Sequence, residues 1–133
     1  MLILPACPWK RTTLLIAALF YIVAGITHFT NSEFFVSIMP NWLPFHLELV
    51  WLSGAAEMIL GAALLSSRWR QKASWGLIVL LIAVFPANLH MAMNPELFVL
   101  RGTPLWGLYL RLPIQVVLIA WAWWIGKPDP APE

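Results

Sequence analysis

Four long apolar segments alternate along the chain with shorter connectors that carry most of the charged residues. Each segment is close to the roughly 20 residues that a helix, rising about 1.5 Å per residue, needs to cross about 30 Å of hydrocarbon. The pattern predicts an all-α integral membrane four-helix bundle that forms one transmembrane domain over residues 1–133. A proline-rich tail, residues 127–133, is predicted to be disordered. The helices are predicted at residues 12–29, 47–65, 73–93 and 105–125.

The first connector, residues 30–46, is too apolar for a freely solvated loop, since it contains four aromatic residues and two prolines. It is therefore expected to pack against the bundle. We predict a short amphipathic or re-entrant segment between helices one and two, ended by Pro40 and Pro44 and lying across the mouth of the bundle.

The overall composition supports a membrane protein, because 61% of the 133 residues are hydrophobic and only 11% are charged. Soluble domains contain about 25% charged residues, and a chain of this size cannot hide so much apolar surface in a single core. The lipid bilayer is therefore the first predicted partner. The net charge of +2 does not indicate nucleic-acid binding, since the basic residues flank apolar segments and form no stripe interleaved with aromatic residues.

The distribution of basic residues predicts the orientation of the chain. The first connector has no lysine or arginine and the third has only Arg101. By the positive-inside rule both termini and the second connector are predicted to be cytoplasmic. Tryptophan, which prefers the headgroup region, also lies near the predicted helix ends. The basic residues on the predicted cytoplasmic side are Lys10, Arg11, Arg68, Arg70, Lys72 and Lys127.

Several kinds of chemistry find no support in the sequence. Cys7 is the only cysteine, so the chain can form neither an internal disulfide nor a CxxC thiol pair. The histidines and acidic residues lack the spacing of helical metal motifs, and no metal site is predicted. No nucleophile and base pair or phosphate-binding loop is recognisable. We expect no required cofactor and, for the chain on its own, no catalytic activity.

Glu57 lies near the middle of the second apolar segment, where a charge costs about 2.5 to 3.5 kcal/mol on insertion scales. Gly54 and Gly61 flank it and allow a neighbouring helix to approach closely. Arg111 lies at a similar depth in the fourth segment. We therefore predict a buried ion pair between Glu57 and Arg111 that turns this face of the second helix towards the bundle interior.

Three further polar residues are predicted to join this buried cluster: Asn88 and Gln115 as hydrogen-bonding groups, and His28 near the outer end of the first helix. Two interpretations remain open. The cluster either determines only how the helices meet, or it also lines a pocket for a polar ligand, a quinone or a proton.

Short motifs in a defined order give the chain a resemblance to the DoxX-like family of small membrane proteins. The resemblance extends from the first to the fourth apolar segment. His28, Glu57, Asn88, Arg111 and Gln115 match polar motif positions of that family. The motifs are GITHF at 25–29, IMPNWLPFH at 38–46, SGAAEMILGAALL at 53–65, FPANLHMA at 85–92 and RLPIQ at 111–115.

The resemblance implies a four-helix membrane bundle with cytoplasmic termini, in the plasma (inner) membrane of a bacterium. Relatives serve as a subunit of a thiosulfate to quinone oxidoreductase, as part of an oxidative-stress complex and, in animals, as receptor assembly factors and cargo receptors. With Cys7 alone, this chain departs from members that use redox cysteines.

We therefore expect a non-catalytic accessory or assembly component of a membrane complex, linked to quinone-dependent redox chemistry. A membrane oxidoreductase subunit that binds quinone directly is the first alternative, and a small proton-coupled transporter using Glu57 is the second. The expected partners are the bilayer and other membrane or peripheral proteins, and a homo-oligomer is compatible with the sequence.

Overall fold

The computed structural model describes residues 3–129, and this part of the chain is helical apart from short turns. Each of the four predicted apolar helices corresponds to one long helix. Two short helices lie in the first and third connectors. In chain order the helices are α1 (Pro8–Thr30), α2 (Ser32–Ser37), α3 (His46–Ala63), α4 (Arg70–Met93), α5 (Pro95–Val99) and α6 (Leu105–Gly126).

Prolines and unusual backbone conformations mark the helix boundaries. Pro8 and Pro95 occupy the first positions of α1 and α5, where the missing N–H has no helical partner to lose. Phe45 precedes α3 in the left-handed conformation, with φ of 54°. Gly102 has φ of 91°, which only glycine adopts without strain, in the turn between α5 and α6.

The first connector contains α2, a helix of 6 residues that ends at Ser37. A short helix thus lies in this connector and ends before Pro40 rather than at it, and an amphipathic or re-entrant position across the mouth of the bundle stays a prediction. The third connector contains α5, a helix of 5 residues that the sequence analysis did not anticipate. Because these connectors are short, each one joins two long helices that pack against each other, α1 with α3 and α4 with α6.

The four long helices pack as two antiparallel pairs, α1 with α3 and α4 with α6, and α3 against α4 joins the pairs. The α1–α3 crossing is very close because glycines face each other. A Cβ placed on Gly25 would lie 2.5 Å from the Gly54 carbonyl oxygen, and one on Gly54 would lie 2.9 Å from the Gly25 carbonyl oxygen. No side chain separates the two backbones there.

The apolar core is concentrated at the end of the bundle that holds both chain ends. A second, smaller cluster lies at the opposite end, where α5 and the connector after α2 meet α4 and α6. The first cluster contains Leu14, Ala17, Tyr21, Leu64, Ala73, Leu77, Ile78, Ala122 and Ile125, and the second contains Ile38, Met91, Phe98 and Leu108.

Two basic residues at the terminal end are buried rather than exposed to solvent. The Arg70 guanidinium donates to the carbonyl oxygens of Leu64, at 3.0 Å, and Ile3, at 2.6 Å. The Lys10 ammonium donates to the carboxylate of Asp129 at 2.9 Å. These contacts fasten the two ends of the described chain to the bundle. The predicted disordered tail falls outside the described residues from position 130 onwards.

Three helices, α1, α4 and α6, are long and apolar enough to cross a membrane. Most of their surface is not covered by protein, since only 33%, 22% and 22% of the residues in their most apolar windows are buried. Large exposed residues such as Leu19, Val79 and Val116 project from these helices. An apolar surface of this extent requires lipid rather than water, so the protein is a membrane protein.

A cavity between the helix pairs as the candidate site

A cavity of about 540 Å³ lies between the two helix pairs, between the two apolar clusters. Its volume is in the range of about 300 to 1,000 Å³ that is typical of small-molecule sites. Most of its lining is aliphatic or aromatic, and five polar side chains contribute to it. The polar residues in the lining are His28, Ser53, Glu57, Asn88 and Arg111.

The cavity borders the outer surface of the bundle between α3 and α4. Leu52 of α3 and Ala83 of α4 both line it, and both are exposed on the surface that faces lipid. The looser packing between these two helices, compared with the packing within each pair, leaves this gap. The cavity therefore reaches the outer surface of the bundle between α3 and α4.

Glu57 lies beside His28 of α1. The Glu57 Oε2 atom is 3.4 Å from His28 Nδ1, while the same Nδ1 is 2.8 Å from the carbonyl oxygen of Ala24. Because a carbonyl can only accept, Nδ1 carries its proton and donates it to Ala24. Within residues 3–129, Oε2 is buried and has no hydrogen-bond donor.

The predicted Glu57–Arg111 ion pair is absent from the described residues. In this part of the chain, a basic and an acidic side chain approach within 4.0 Å at Lys10–Asp129 and at His28–Glu57. Arg111 instead places its guanidinium over the Phe34 ring, with Cζ 5.8 Å from the ring centroid. Both charged residues line the same cavity, but they do not meet. The direct contact predicted from the sequence is therefore wrong.

Since no contact joins them, Glu57→Gln and Arg111→Gln should have additive effects on thermal stability in detergent, within about 0.5 kcal/mol. A double-mutant cycle measured by thermal unfolding checks this expectation. Partial recovery of stability in the double variant would show that the two side chains pair after all.

Asn88 and Gln115 connect α4 to α6. Asn88 Nδ2 donates to Gln115 Oε1 at 2.8 Å, and Gln115 Nε2 donates to the carbonyl oxygen of Leu81. Gln115 is buried, with 4% of its surface exposed, and is not part of the cavity wall. Gln115 accepts a hydrogen bond from Asn88 on the side away from the cavity. Four of the five predicted polar residues therefore line the cavity, and the fifth positions one of them.

A profile of a domain of unknown function, DUF8561, matches residues 16–126 and therefore covers α3, α4 and α6 completely and α1 from residue 16 onwards. The chain belongs to the DUF8561 family. Comparisons with curated proteins and with solved structures gave no match. The matched region of this DUF8561 protein includes all the residues that line the cavity.

Two aromatic residues of α2 complete the site, and the sequence analysis did not assign them to it. Phe35 stacks on the His28 ring, with centroids 3.9 Å apart and planes inclined by 18°. Phe34 lies under Arg111. The apolar character of the first connector was the available signal, since it indicated packing against the bundle without indicating the side chains covered.

The DUF8561 chain brings no group of three or more histidine, cysteine or acidic residues together within residues 3–129. The chemistry present at the cavity is that of one carboxyl, one guanidinium, one imidazole, one amide and one hydroxyl. The hydroxyl, from Ser53, donates to the Val50 carbonyl oxygen at 2.9 Å. These groups suit hydrogen bonding to a small polar head in an otherwise apolar space.

Proposed function

We propose that this DUF8561 protein is a DoxX-like, non-catalytic accessory or assembly component of a membrane complex, and that its cavity holds an amphipathic molecule taken from the bilayer. A quinone is the first candidate ligand, and the complex is then linked to quinone-dependent redox chemistry. One observation carries the proposal: an apolar cavity, open towards lipid between α3 and α4, contains a few polar groups.

The residues of the cavity fit a quinone. Quinone carbonyls need hydrogen-bond donors. Arg111 offers N–H groups at the cavity wall, and Asn88 offers the amide hydrogen that it does not donate to Gln115. Aliphatic residues of α3 and α4 suit the apolar chain and lead to the lipid-facing rim. A bound quinone supplies two-electron redox chemistry, while these side chains would bind and orient its ring.

In the proposed topology α3 is the fourth spanning helix and α2 lies as an amphipathic or re-entrant segment at the outer mouth. The 18 residues of α3 extend about 27 Å, close to the thickness of the hydrocarbon region. Both neighbours in the chain, α1 and α4, are long enough to span. Basic residues and exposed tryptophans at the terminal end, including Trp9 and Trp69, support cytoplasmic termini in a bacterial inner membrane.

Two other functions use the same cavity. A membrane oxidoreductase subunit would bind quinone directly and pass electrons to a partner dehydrogenase, and a proton-coupled transporter would use Glu57 as its proton site. Mass spectrometry of the protein purified in mild detergent separates these cases. An accessory role predicts client proteins together with a lipid-soluble molecule, whereas a dehydrogenase with quinone reductase activity would support the first alternative.

Filling the cavity tests the ligand site directly. A phenylalanine at Ala56, which lines the cavity on α3, should reduce the binding of a short-chain ubiquinone analogue. At about ten times its dissociation constant the analogue should stabilise the unmodified protein by about 1.4 kcal/mol. We expect thermal unfolding in detergent to show this stabilisation, and the Ala56→Phe variant to lose it.

Ala62→Phe provides the matched control, because Ala62 is exposed on the same helix and is not part of the cavity. This variant should keep the stabilisation by the ubiquinone analogue. Equal stabilisation of the Ala56→Phe and Ala62→Phe variants would place the ligand outside the cavity and contradict the proposal.

A further inference from the structure

The Glu57 carboxyl is an acceptor that lacks a donor. Its Oε2 atom is buried without a hydrogen-bond partner in residues 3–129, and His28 Nδ1, which lies 3.4 Å from Oε2, donates its hydrogen to Ala24. The side chain lines the cavity and is 13% exposed. The accepting capacity of the carboxyl is therefore not used up within the described residues, and a molecule in the cavity can donate a hydrogen bond to the exposed part of the carboxyl.

Arg111 supplies hydrogen-bond donors, in contrast to the accepting carboxyl of Glu57. Arg111 lines the cavity, and its guanidinium lies over the Phe34 ring, a contact that uses none of its N–H groups for hydrogen bonds. Guanidinium planes stack on aromatic rings as well as donating hydrogen bonds. An aromatic head therefore suits this side of the cavity.

A negatively charged head is a poorer fit than a neutral one. An anionic head without a hydrogen to donate can accept from Arg111 but leaves the Glu57 carboxyl without a donor. A neutral head with an O–H group can donate to Glu57 and accept from Arg111.

We infer that the cavity selects an amphipathic molecule with a phenol-type head, whose hydroxyl donates a hydrogen bond to the Glu57 carboxyl and whose ring lies beside the Arg111 guanidinium. Quinols belong to this class, as do alkylphenols. The inference rests on the proposed function, since it names the chemical class of ligand for the same cavity. The alkyl chain of such a ligand extends between α3 and α4 towards Leu52 and Ala83.

A matched pair of probes tests the hydroxyl: para-octylphenol and para-octylanisole, which differ by replacement of O–H with O–CH₃. Apparent affinities for the full chain in lipid nanodiscs are measured from the thermal stabilisation that each probe produces. The phenol should bind about tenfold more tightly than the anisole, because one hydrogen bond is gained. The Ala56→Phe variant gives the background from partition into lipid.

Glu57→Leu should bring the affinity ratio close to one, and Glu57→Gln, which keeps shape and a weaker acceptor, should give an intermediate ratio. Glu48→Leu is the control, since Glu48 is an exposed acid in the first turn of the same helix. It should keep the full preference. Cooperative unfolding without ligand shows that each variant is folded.

The outcomes separate the inference from the function on which it rests. If neither probe binds and no amphipathic molecule co-purifies, the proposed function itself fails. If both probes bind equally, or the anisole binds more tightly, the cavity holds a ligand but the phenol inference is wrong. Tyr21, whose hydroxyl is also buried without a partner, gives a further check: loss of the preference in Tyr21→Phe, with Glu57→Leu unaffected, would also overturn the assignment to Glu57.

Discussion

Gly54→Ala should lower the thermal stability of the protein in detergent by about 3 kcal/mol, because extra atoms in a tightly packed contact force the helices apart. The new Cβ would lie 2.6 Å from the His28 Cβ and 2.9 Å from the Gly25 carbonyl oxygen. A backbone oxygen cannot rotate away as a flexible side chain can. Separation of α1 from α3 is then the only relief, and thermal unfolding followed by circular dichroism measures its cost.

The reciprocal change, Gly25→Ala, should have a similar effect, since its Cβ would lie 2.5 Å from the Gly54 carbonyl oxygen. Gly107→Ala in α6 is the control: the nearest atom to its Cβ is Pro104 Cγ at 3.4 Å, an ordinary contact. In a helix this change is neutral or stabilises by up to about 1 kcal/mol. A Gly54→Ala protein as stable as Gly107→Ala would show that α1 and α3 do not cross closely.

The Gly54 variant should also disturb the site. His28 contacts the position of the new Cβ, stacks on the Phe35 ring and lies 3.4 Å from the Glu57 carboxyl. A shift of α1 would therefore move one wall of the cavity relative to α3. We expect weaker binding of the ubiquinone analogue at temperatures where the Gly54→Ala variant is still folded.

Gln115→Leu should destabilise the protein by about 2 kcal/mol, because it breaks two contacts between α4 and α6 and leaves the Asn88 amide without its partner. Thermal unfolding in detergent measures the loss. Adding Asn88→Leu to this variant should recover part of the stability, since the orphaned amide is removed with it.

Gln71→Leu is the matched control for this change, because Gln71 is an exposed residue near the start of α4. Its effect should stay within about 0.5 kcal/mol. If Gln115→Leu behaves like Gln71→Leu, the amide bridge contributes nothing measurable to the packing of α4 on α6. Strictly additive losses for Gln115→Leu and Asn88→Leu would show that the two amides act independently.

The helices could be predicted from sequence because each depends on its own residues. A run of apolar residues long enough to cross a bilayer specifies a helix, and prolines such as Pro8 and Pro104 mark where helices begin. The short helix α5 was missed because a single turn after Asn94 has no periodic pattern. Its place depends on Phe98, which is buried against α4 and α6.

Four of the five predicted polar residues line the cavity, and the predicted contact between Glu57 and Arg111 is not made. Depth along a helix and the shared face of neighbouring residues were the basis for expecting Glu57 and Arg111 inside the bundle. Their pairing depends on the rotation of α6 relative to α3 and on the rotamer of each side chain, neither of which is encoded locally. The partner beside Glu57 is His28, because the glycine contact brings α1 nearer to α3 than α6 comes.

Local composition by itself determined that this chain is helical and that its apolar helices are suited to a lipid environment. Hydrophobicity and helix length are properties of each segment and do not depend on which other segments it contacts. The tertiary structure alone decided that the helices associate in pairs, that α2 covers His28 and Arg111 with aromatic rings, and that a cavity remains between α3 and α4. The physical reason is that close packing depends on the shapes of facing surfaces. Glycine allows contact between backbones at one crossing, and larger side chains hold the helices apart at another.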